Sequence, residues 1–270
     1  MISSFLQEDV ADDDITTAGT IAEDLDISAV VQAVEDLIFA GGPVLTTGFG
    51  QHCQVQLLVE EGELVCAGST LAEVSGPARI ILSRERVLLN LIQRMSGIAS
   101  KTSEYMALVK PFGAEVIDTR KTIPGMRLFD KYAVYIGGGR NHRLDLSAAV
   151  LIKDNHVRLV DDLGQAVASF RRKYPDKMIE LEVENREQLE TGLACGVDTF
   201  MLDNMTPEQV AEMVPVIRTH PNGRQAYIEV SGGINSSTIV EYARAGVNGI
   251  SVGALTHSVK SKDIRLETVS

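Results

Sequence analysis

The 270-residue sequence predicts an α/β protein whose two parts have different secondary-structure patterns. Up to about Gly76, short strands and turns dominate the pattern. From Gly113 onward, apolar segments of strand length alternate with helical segments. A long helix that opens at Pro77 lies between the two parts. Repeated strand–helix units favour a parallel sheet with right-handed crossovers in the second part.

The first part is predicted to be built from short elements. A helix is expected to begin near Ile27 and to end at the glycines of Ala40-Gly41-Gly42-Pro43. Residues 54–59 alternate and indicate a strand. Glu61-Gly62-Glu63 is a predicted turn, and residues 64–74 indicate further strand with a bend at Gly68.

The helix after Pro77 carries apolar residues at helical spacing, and proline at a first helical position costs no hydrogen bond. Ser96-Gly97 is expected to interrupt this helix before a second helical run to about Lys110. The predicted domains are therefore residues 1–98 and residues 99–259. The tail, residues 260–270, is expected to pack back on the first domain.

Six strands are predicted in the second domain, with helices between most of them. They are Ala114–Asp118, Ala148–Lys153, Met178–Glu184, Thr199–Leu202, Ala226–Val230 and Gly249–Val252. This number of strand–helix units suits a barrel-like closure smaller than the usual eight-fold barrel. An open, doubly wound sheet is the alternative.

Composition excludes several classes of function. The formal net charge of −12 argues against nucleic acid as a main partner, because phosphate contacts need a basic face. Three cysteines without a CxxC spacing argue against a disulfide framework or a zinc site. The acidic N-terminus does not resemble a secretion signal, and no apolar stretch reaches membrane-spanning length. We therefore expect a cytoplasmic protein without a membrane partner.

Charged residues gather where the predicted parallel strands end, which is where barrels place their active sites. The cations at these ends or in the connection between them are Arg120, Lys121, His142, Arg143 and Lys153. Glu182 and Asp203 are anions at successive strand ends. Arginines bind carboxylate or phosphate groups, and paired carboxylates suit Mg²⁺. The set predicts an anionic ligand together with magnesium.

Two glycine-containing segments follow the last strands. Ser231-Gly232-Gly233 and the segment at Gly253 would let the backbone approach a phosphate group closely. The first is expected to lead into a helix that opens at Asn235-Ser236. By contrast, the three glycines of residues 137–139 lack the spacing of a dinucleotide-binding motif and favour a mobile loop that delivers His142 and Arg143.

The sequence resembles the quinolinate phosphoribosyltransferases, the carboxylating enzymes of NAD biosynthesis, over nearly its whole length. The matching segments keep the family's order and are Glu8-Asp9, Asp14-Ile15-Thr16-Thr17, GPARIILSRERVLLNLIQRMSGIAS, DTRKTIPGMR, KYAVYIGGGRNHR, LIKDNH, ELEVE, MLDNM, EVSGGI and ISVGALTHS. The resemblance implies an N-terminal α/β sandwich domain and a C-terminal incomplete (β/α) barrel. It also implies a head-to-tail homodimer with shared active sites, and it leaves a hexamer open.

The resemblance also implies roles for particular residues. Quinolinate and phosphoribosyl pyrophosphate would be bound by Arg86 of a neighbouring subunit and by Arg120, Lys121, His142, Arg143 and Lys153. Glu182 and Asp203 would lie near the ribose hydroxyls and hold Mg²⁺, directly or through water. Ser231, Gly232, Gly233 and Gly253 would form the 5-phosphate site. Lys121, Lys153, Glu182 and Asp203 are the expected catalytic residues.

The implied reaction transfers phosphoribosyl to quinolinate and releases carbon dioxide, giving nicotinate mononucleotide and diphosphate. Nicotinate as the acceptor is one alternative. A Schiff-base aldolase that uses Lys153 and a non-catalytic phosphosugar-binding module are two others. The sequence departs from the family at Asp12-Asp13-Asp14, where a glycine is usual, and at the serine of SGIAS.

Overall fold

The structure is a computed structural model and describes residues 1–269. Its helices are α1 (Ile2–Glu8), α2 (Ile15–Thr20), α3 (Gly42–Phe49), α4 (Ala78–Val109), α5 (Arg127–Ile136), α6 (Asp154–Val157), α7 (Leu163–Lys173), α8 (Arg186–Cys195), α9 (Pro207–Thr219), α10 (Ile239–Arg244) and α11 (Ala254–His257). Its strands are β1 (Asp26–Ala33), β2 (Leu37–Ile38), β3 (Gln54–Leu57), β4 (Leu64–Val65), β5 (Thr70–Pro77), β6 (Glu115–Ile117), β7 (Val150–Ile152), β8 (Ile179–Val183), β9 (Thr199–Asp203), β10 (Tyr227–Ser231), β11 (Gly249–Ser251) and β12 (Ile264–Val269).

The chain divides into two compact units. The N-terminal unit comprises residues 1–103, residues 128–138 and the segment from Val259 on. The barrel unit comprises residues 104–127 and 139–258. The sequence suggested one boundary after residue 98 and one returning tail. The structure adds residues 128–138 to the N-terminal unit, and within the tail Ser270 lies outside the described residues.

The N-terminal unit is built on a four-stranded antiparallel sheet in the order β12-β1-β5-β3. The helix expected from Ile27 was wrong, because residues 26–33 form the central strand β1. Every second residue of β1 points into the core, and the buried residues are Ala29, Val31 and Ala33. Pairing with both β5 and β12 satisfies the backbone of this segment, and that long-range pairing outweighs its local helical pattern.

Helix α4 is continuous over 32 residues, so the interruption expected at Ser96-Gly97 was also wrong. The buried Ser96 side chain hydrogen-bonds to the backbone of Ala40, with Oγ accepting from the amide at 3.2 Å and donating to the carbonyl at 3.3 Å. A Cβ atom on Gly97 would lie 2.3 Å from the Lys260 carbonyl oxygen. The glycine therefore allows close packing of the C-terminal segment and does not end the helix.

Gly97→Ala is expected to destabilise the protein by roughly 1–3 kcal/mol, because the new methyl group would overlap a backbone atom that cannot rotate away. Chemical denaturation monitored by circular dichroism would measure the change. Gly19→Ala is the matched control, since Gly19 lies in helix α2 and a Cβ atom there would meet nothing within 4 Å. We expect the control to be neutral or stabilising; equal effects of the two substitutions would contradict the packing argument.

The barrel unit contains a six-stranded parallel sheet in the order β6-β11-β10-β9-β8-β7. Each strand from β7 to β11 lies beside the next one in the chain, and β11 pairs with β6. A doubly wound sheet would instead reverse its strand order part-way. The sheet is therefore wound in one direction. Its two edge strands, β6 and β7, are not paired with each other. The predicted incomplete barrel is confirmed.

Local sequence explains the main elements of this unit. All five residues of β8 are buried, as expected for a strand covered on both sides. Thr206 caps α9 by accepting a hydrogen bond from the Gln209 amide, with Pro207 in the first turn. Among residues 1–269, no helix has the length and apolar character needed to cross a membrane.

Candidate active site

A cavity of about 360 Å³ opens at the carboxyl ends of the parallel strands in the barrel unit. Parallel strands present their carboxyl ends on one side, so residues far apart in sequence meet there. The lining residues are Thr119, Arg120, Lys121, His142, Arg143, Leu151, Lys153, Glu182, Met201, Asp203, Ser231 and Ser251. The structure thus brings the predicted cations and the predicted carboxylates together in one site.

Two arginines of this cavity lack full hydrogen bonding. The buried Nε atoms of Arg120 and Arg143 have no hydrogen-bond partner among the described residues. Burial and then the neighbouring charge of Arg120 lower the pKa of Arg143 from its ordinary value. Two close guanidinium groups with unsatisfied donors need an anion between or beside them. The pair is therefore suited to a ligand with carboxylate or phosphate groups.

A lysine and two carboxylates lie in the same cavity. Lys153 Nζ donates to Glu182 Oε2 at 2.5 Å, and the Glu182 side chain is only 8% exposed. Asp203 Oδ2 accepts from Asn204 Nδ2 at 2.6 Å, which leaves Oδ1 for another partner. Asn204 has a positive φ of 54°, a conformation that turns the chain directly after β9. The site thus places carboxylate oxygens, which can accept hydrogen bonds or bind a metal ion, beside an ammonium group.

His142 is held on three sides. Its backbone N–H donates to Asp118 Oδ1 at 2.8 Å, and its ring Nε2 lies 3.0 Å from Glu180 Oε2. Its ring Nδ1 accepts from the Arg143 backbone N–H at 2.7 Å. Since Nδ1 is an acceptor, Nε2 carries the ring hydrogen and donates to Glu180.

A second buried carboxylate lies next to this histidine. Glu229 Oε1 is 3.9 Å from His142 Nε2 and accepts from Ser251 Oγ at 2.6 Å. Glu229 is 3% exposed and Glu180 is 7% exposed. Burial, followed by the charge of Glu180, raises the pKa of Glu229 to about 7. Two buried carboxyl groups therefore lie beside the His142 ring, which lines the cavity.

Comparison with known proteins identifies the family. Residues 14–96 match the model of the quinolinate phosphoribosyl transferase N-terminal domain, and residues 98–267 match that of its C-terminal domain. The chain belongs to the quinolinate phosphoribosyltransferase family.

Individual relatives agree with this assignment. The chain is 38% identical to a probable nicotinate-nucleotide pyrophosphorylase [carboxylating] of Bacillus subtilis, with 99% of this chain and 92% of the relative covered. It is 39% identical to the corresponding Mycobacterium leprae protein, with 94% and 90% covered. The crystal structure of NadC from Streptococcus pyogenes superimposes with a TM-score of 0.91 at 36% identity, covering 100% of this chain and 96% of that one.

Four of the residues expected to bind ligand in this quinolinate phosphoribosyltransferase do not line the cavity. Arg86 belongs to the N-terminal unit, where its side chain is 64% exposed. Gly232, Gly233 and Gly253 lie beside lining residues. A Cβ atom on Gly253 would approach Lys121 Cδ to 3.1 Å, and one on Gly232 would lie 2.3 Å from Asn204 Oδ1.

The helix predicted to open at Asn235-Ser236 begins later in the structure, at Ile239. Asn235 instead forms a turn in which its Oδ1 accepts from the Ser237 backbone N–H at 3.0 Å and from the Ser237 hydroxyl at 2.6 Å. The side-chain bonds of asparagine and serine compete with the first turn of a helix. By contrast, the short helix α11 follows Gly253 directly.

Several residues of this quinolinate phosphoribosyltransferase's site were not predicted from the sequence, namely Thr119, Leu151, Met201 and Ser251 in the cavity and Glu180 and Glu229 next to His142. A signal for the glutamates was present. Glu180 precedes Glu182 by two residues and Glu229 precedes Ser231 by two residues. Residues two apart in a strand face the same side of the sheet, so both glutamates point to the barrel interior.

Proposed function

We propose that this quinolinate phosphoribosyltransferase binds quinolinate and phosphoribosyl pyrophosphate in the cavity of the barrel unit. The products are nicotinate mononucleotide, carbon dioxide and diphosphate, as in de novo NAD biosynthesis. The observation that carries the proposal is the pair of half-buried arginines, Arg120 and Arg143, whose buried Nε atoms have no partner among the described residues. A ring with two adjacent carboxylates supplies the anionic groups that this pair needs.

Binding of quinolinate is assigned to the arginines. Arg120 and Arg143, with His142 beside them, would hold the ring carboxylates from within the barrel unit. The exposed side chain of Arg86 from a neighbouring subunit would complete this site in a homodimer. Holding both carboxylates fixes the direction of the ring nitrogen, and such positioning contributes a large share of catalysis in two-substrate reactions.

The transfer step breaks one bond and forms another at C1 of the ribose. The bond from C1 to the diphosphate oxygen loosens, its electron pair leaves with diphosphate, and the ribose develops positive charge. The ammonium group of Lys121 stabilises the departing diphosphate, while the carboxylates of Glu182 and Asp203 stabilise the ribose cation. The pyridine nitrogen then donates its lone pair to C1. Lys153, paired with Glu182, lies between the two substrates.

Decarboxylation follows from the charge created on the ring. Once the nitrogen is alkylated, the bond to the neighbouring carboxylate can break, and carbon dioxide leaves while its bonding electrons stay on the ring carbon. The adjacent cationic nitrogen stabilises this carbanion until it takes up a proton. Residues that exclude water and keep the ring oriented assist both steps.

Magnesium is part of the proposal. Glu182 and Asp203 carry the oxygen ligands that Mg²⁺ prefers, and Asp203 Oδ1 is not used by the hydrogen bond from Asn204. These residues fit the ion, directly or through water. When bound, Mg²⁺ would neutralise charge on the diphosphate.

The 5-phosphate group is assigned to Ser231, Gly232, Gly233 and Gly253. Gly232→Ala is expected to raise the KM for phosphoribosyl pyrophosphate by roughly tenfold or more, because its Cβ would overlap Asn204 next to Asp203. The KM is measured from initial rates at saturating quinolinate.

The control for this prediction is Gly233→Ala. No atom lies within 4 Å of a Cβ atom on Gly233, and the φ values of +62° at Gly233 and +108° at Gly232 disfavour alanine at both positions. A smaller rise in the same KM is therefore expected. A larger effect at Gly233 than at Gly232 would show that backbone conformation, not close approach to Asn204, determines the phosphate site.

The function is tested with a coupled assay that contains phosphoribosyl pyrophosphate, Mg²⁺ and either quinolinate or nicotinate. Equal amounts of mononucleotide and carbon dioxide from quinolinate alone support the proposal. Mononucleotide from nicotinate without gas would contradict it and favour the alternative acceptor. Trapping of a carbonyl compound on Lys153 by borohydride would favour an aldolase. A Schiff base forms from a neutral amine, whereas Lys153 forms an ion pair with Glu182.

Assembly and location also belong to the proposal. We expect a homodimer, because the Arg86 side chain is exposed on the N-terminal unit and does not line the cavity that it would complete in a neighbouring subunit. Multi-angle light scattering measures the molar mass that decides between monomer, dimer and hexamer. The cytoplasm is the expected location, and fractionation of cells that express the protein checks it.

A further inference from the structure

Four side chains at the floor of the cavity form a cluster, and the proposed reaction assigns no role to three of them, Glu180, Glu229 and Ser251. This floor cluster consists of His142, Glu180, Glu229 and Ser251. Glu180 and Glu229 are both more than nine-tenths buried, and they approach His142 Nε2 to 3.0 Å and 3.9 Å. Glu180 Oε1 is buried without a hydrogen-bond partner among the described residues.

Stability alone does not explain this composition. Removing two carboxyl groups from water is unfavourable, and replacing buried charges by apolar residues of similar volume is often neutral or stabilising. Other inward positions of β10 and β11 carry uncharged residues, such as Ser231 and Gly249. The glutamates are therefore better explained by an effect on a neighbouring group.

The group they contact is the imidazole of His142. Its Nδ1 accepts from the Arg143 backbone N–H, so its Nε2–H points at Glu180. A cationic ring would need a second hydrogen on Nδ1, where the Arg143 N–H already points. The same geometry disfavours a metal ion in the cluster, because Nε2 would have to give up its hydrogen to become a ligand.

The ring in turn contacts the backbone of Arg143. That residue donates its N–H to the ring at 2.7 Å, and its guanidinium Nη1 donates to the Ala149 carbonyl at 3.1 Å. These contacts hold Arg143 at both its main chain and its side-chain end. A rotation of the imidazole would release the first of them and would change the direction in which the guanidinium enters the cavity.

We propose that Glu229, oriented by Ser251, is a positioning residue that acts together with Glu180 on the His142 ring and, through that ring, orients Arg143 toward the carboxylates of quinolinate. The proposal rests on the proposed function and goes beyond it, since it assigns His142 the role of a connector between the buried glutamates and Arg143. Glu180 receives the ring hydrogen, while Glu229 fills the remaining side of the ring and limits its rotation.

The test compares KM values for the two substrates in Glu229→Ala, Glu229→Gln and Ser251→Ala proteins. In Glu229→Ala, the KM for quinolinate is expected to rise about tenfold, with less than about a twofold change in the KM for phosphoribosyl pyrophosphate. Glutamine keeps the size and an oxygen that accepts from Ser251, so Glu229→Gln should restore most of the affinity. Ser251→Ala should give a smaller rise for quinolinate only.

Thr102→Val serves as the control for packing. Thr102 is a buried polar residue of α4 in the N-terminal unit, its hydroxyl donates to the Ile98 carbonyl at 2.8 Å, and its replacement should not change the ratio of the two KM values. If Glu229→Ala does not fold, Ser251→Ala decides. An unchanged KM for quinolinate in folded Glu229→Ala or Ser251→Ala, or equal rises for both substrates, would overturn the proposal. Absence of turnover in the wild-type protein would instead overturn the proposed function.

Discussion

Replacing Arg120 with alanine is expected to lower kcat/KM for quinolinate by roughly 10²–10⁴-fold, the range seen when a preorganised charge is removed from an active site. The guanidinium of Arg120 has a buried Nε with no partner among the described residues, and it lies close enough to Arg143 to lower the pKa of that residue. Its removal takes away half of the cationic pair that is assigned to the ring carboxylates. Steady-state rates of mononucleotide and carbon dioxide formation measure the loss.

Two further variants make this result specific. Arg120→Lys keeps the charge but loses the planar fork that binds a carboxylate through two hydrogen bonds, so an intermediate loss is expected. Arg244→Ala removes the same charge from an exposed ion pair with Glu241 in helix α10 and should leave the rate unchanged. A rate near the wild-type value in Arg120→Ala would remove Arg120 from the scheme.

Replacing Lys153 with methionine is expected to lower kcat by roughly 10²–10⁴-fold, because the substitution removes the cation assigned to both substrates. It also leaves Glu182 without the ion-pair partner that lies 2.5 Å away, although the carboxylate is only 8% exposed. Without Lys153, the carboxylate of Glu182 could rotate away from the ribose site or bind another cation there. Single-turnover measurements of bond cleavage at the ribose separate this effect from substrate binding.

A double-mutant cycle decides how far the pair acts as a unit. If Lys153 and Glu182 depend on each other, the loss in Lys153→Met/Glu182→Gln will be smaller than the sum of the two single losses. Lys173→Met, at the exposed end of helix α7, is the matched control for loss of a lysine and should retain full activity. Additive losses in the double variant would contradict a coupled pair.

Most of the fold follows from local sequence patterns. The strands predicted in the barrel unit all occur, because each is a short apolar segment bounded by turn or helix signals. From β7 to β11 successive strands lie side by side, as right-handed strand–helix units favour, whereas β6 pairs with β11 and not with β7. The local pattern failed where distant segments decide the outcome, as in β1, whose alternating small residues pair with β5 and β12.

Glycines were a second source of error, because a glycine has several structural uses. Gly97 was expected to end a helix, and in the structure it admits the carbonyl of Lys260 against a continuous helix. Only the position of a segment more than 150 residues away distinguishes these uses. A single sequence contains no information on that approach, so the local interpretation was reasonable and wrong.

The sequence by itself determined which chemical groups meet at the candidate site. Residues at the carboxyl ends of parallel strands must lie on one side of the sheet, so the meeting of Arg120, Lys153, Glu182 and Asp203 in one cavity could be predicted. Only the tertiary structure decided which hydrogen bonds each group forms. The tautomer of His142 and the unsatisfied guanidinium nitrogens depend on side-chain directions and burial. Both are set by neighbours distant in the chain, because packing and the loss of water act on the folded surface and not along the sequence.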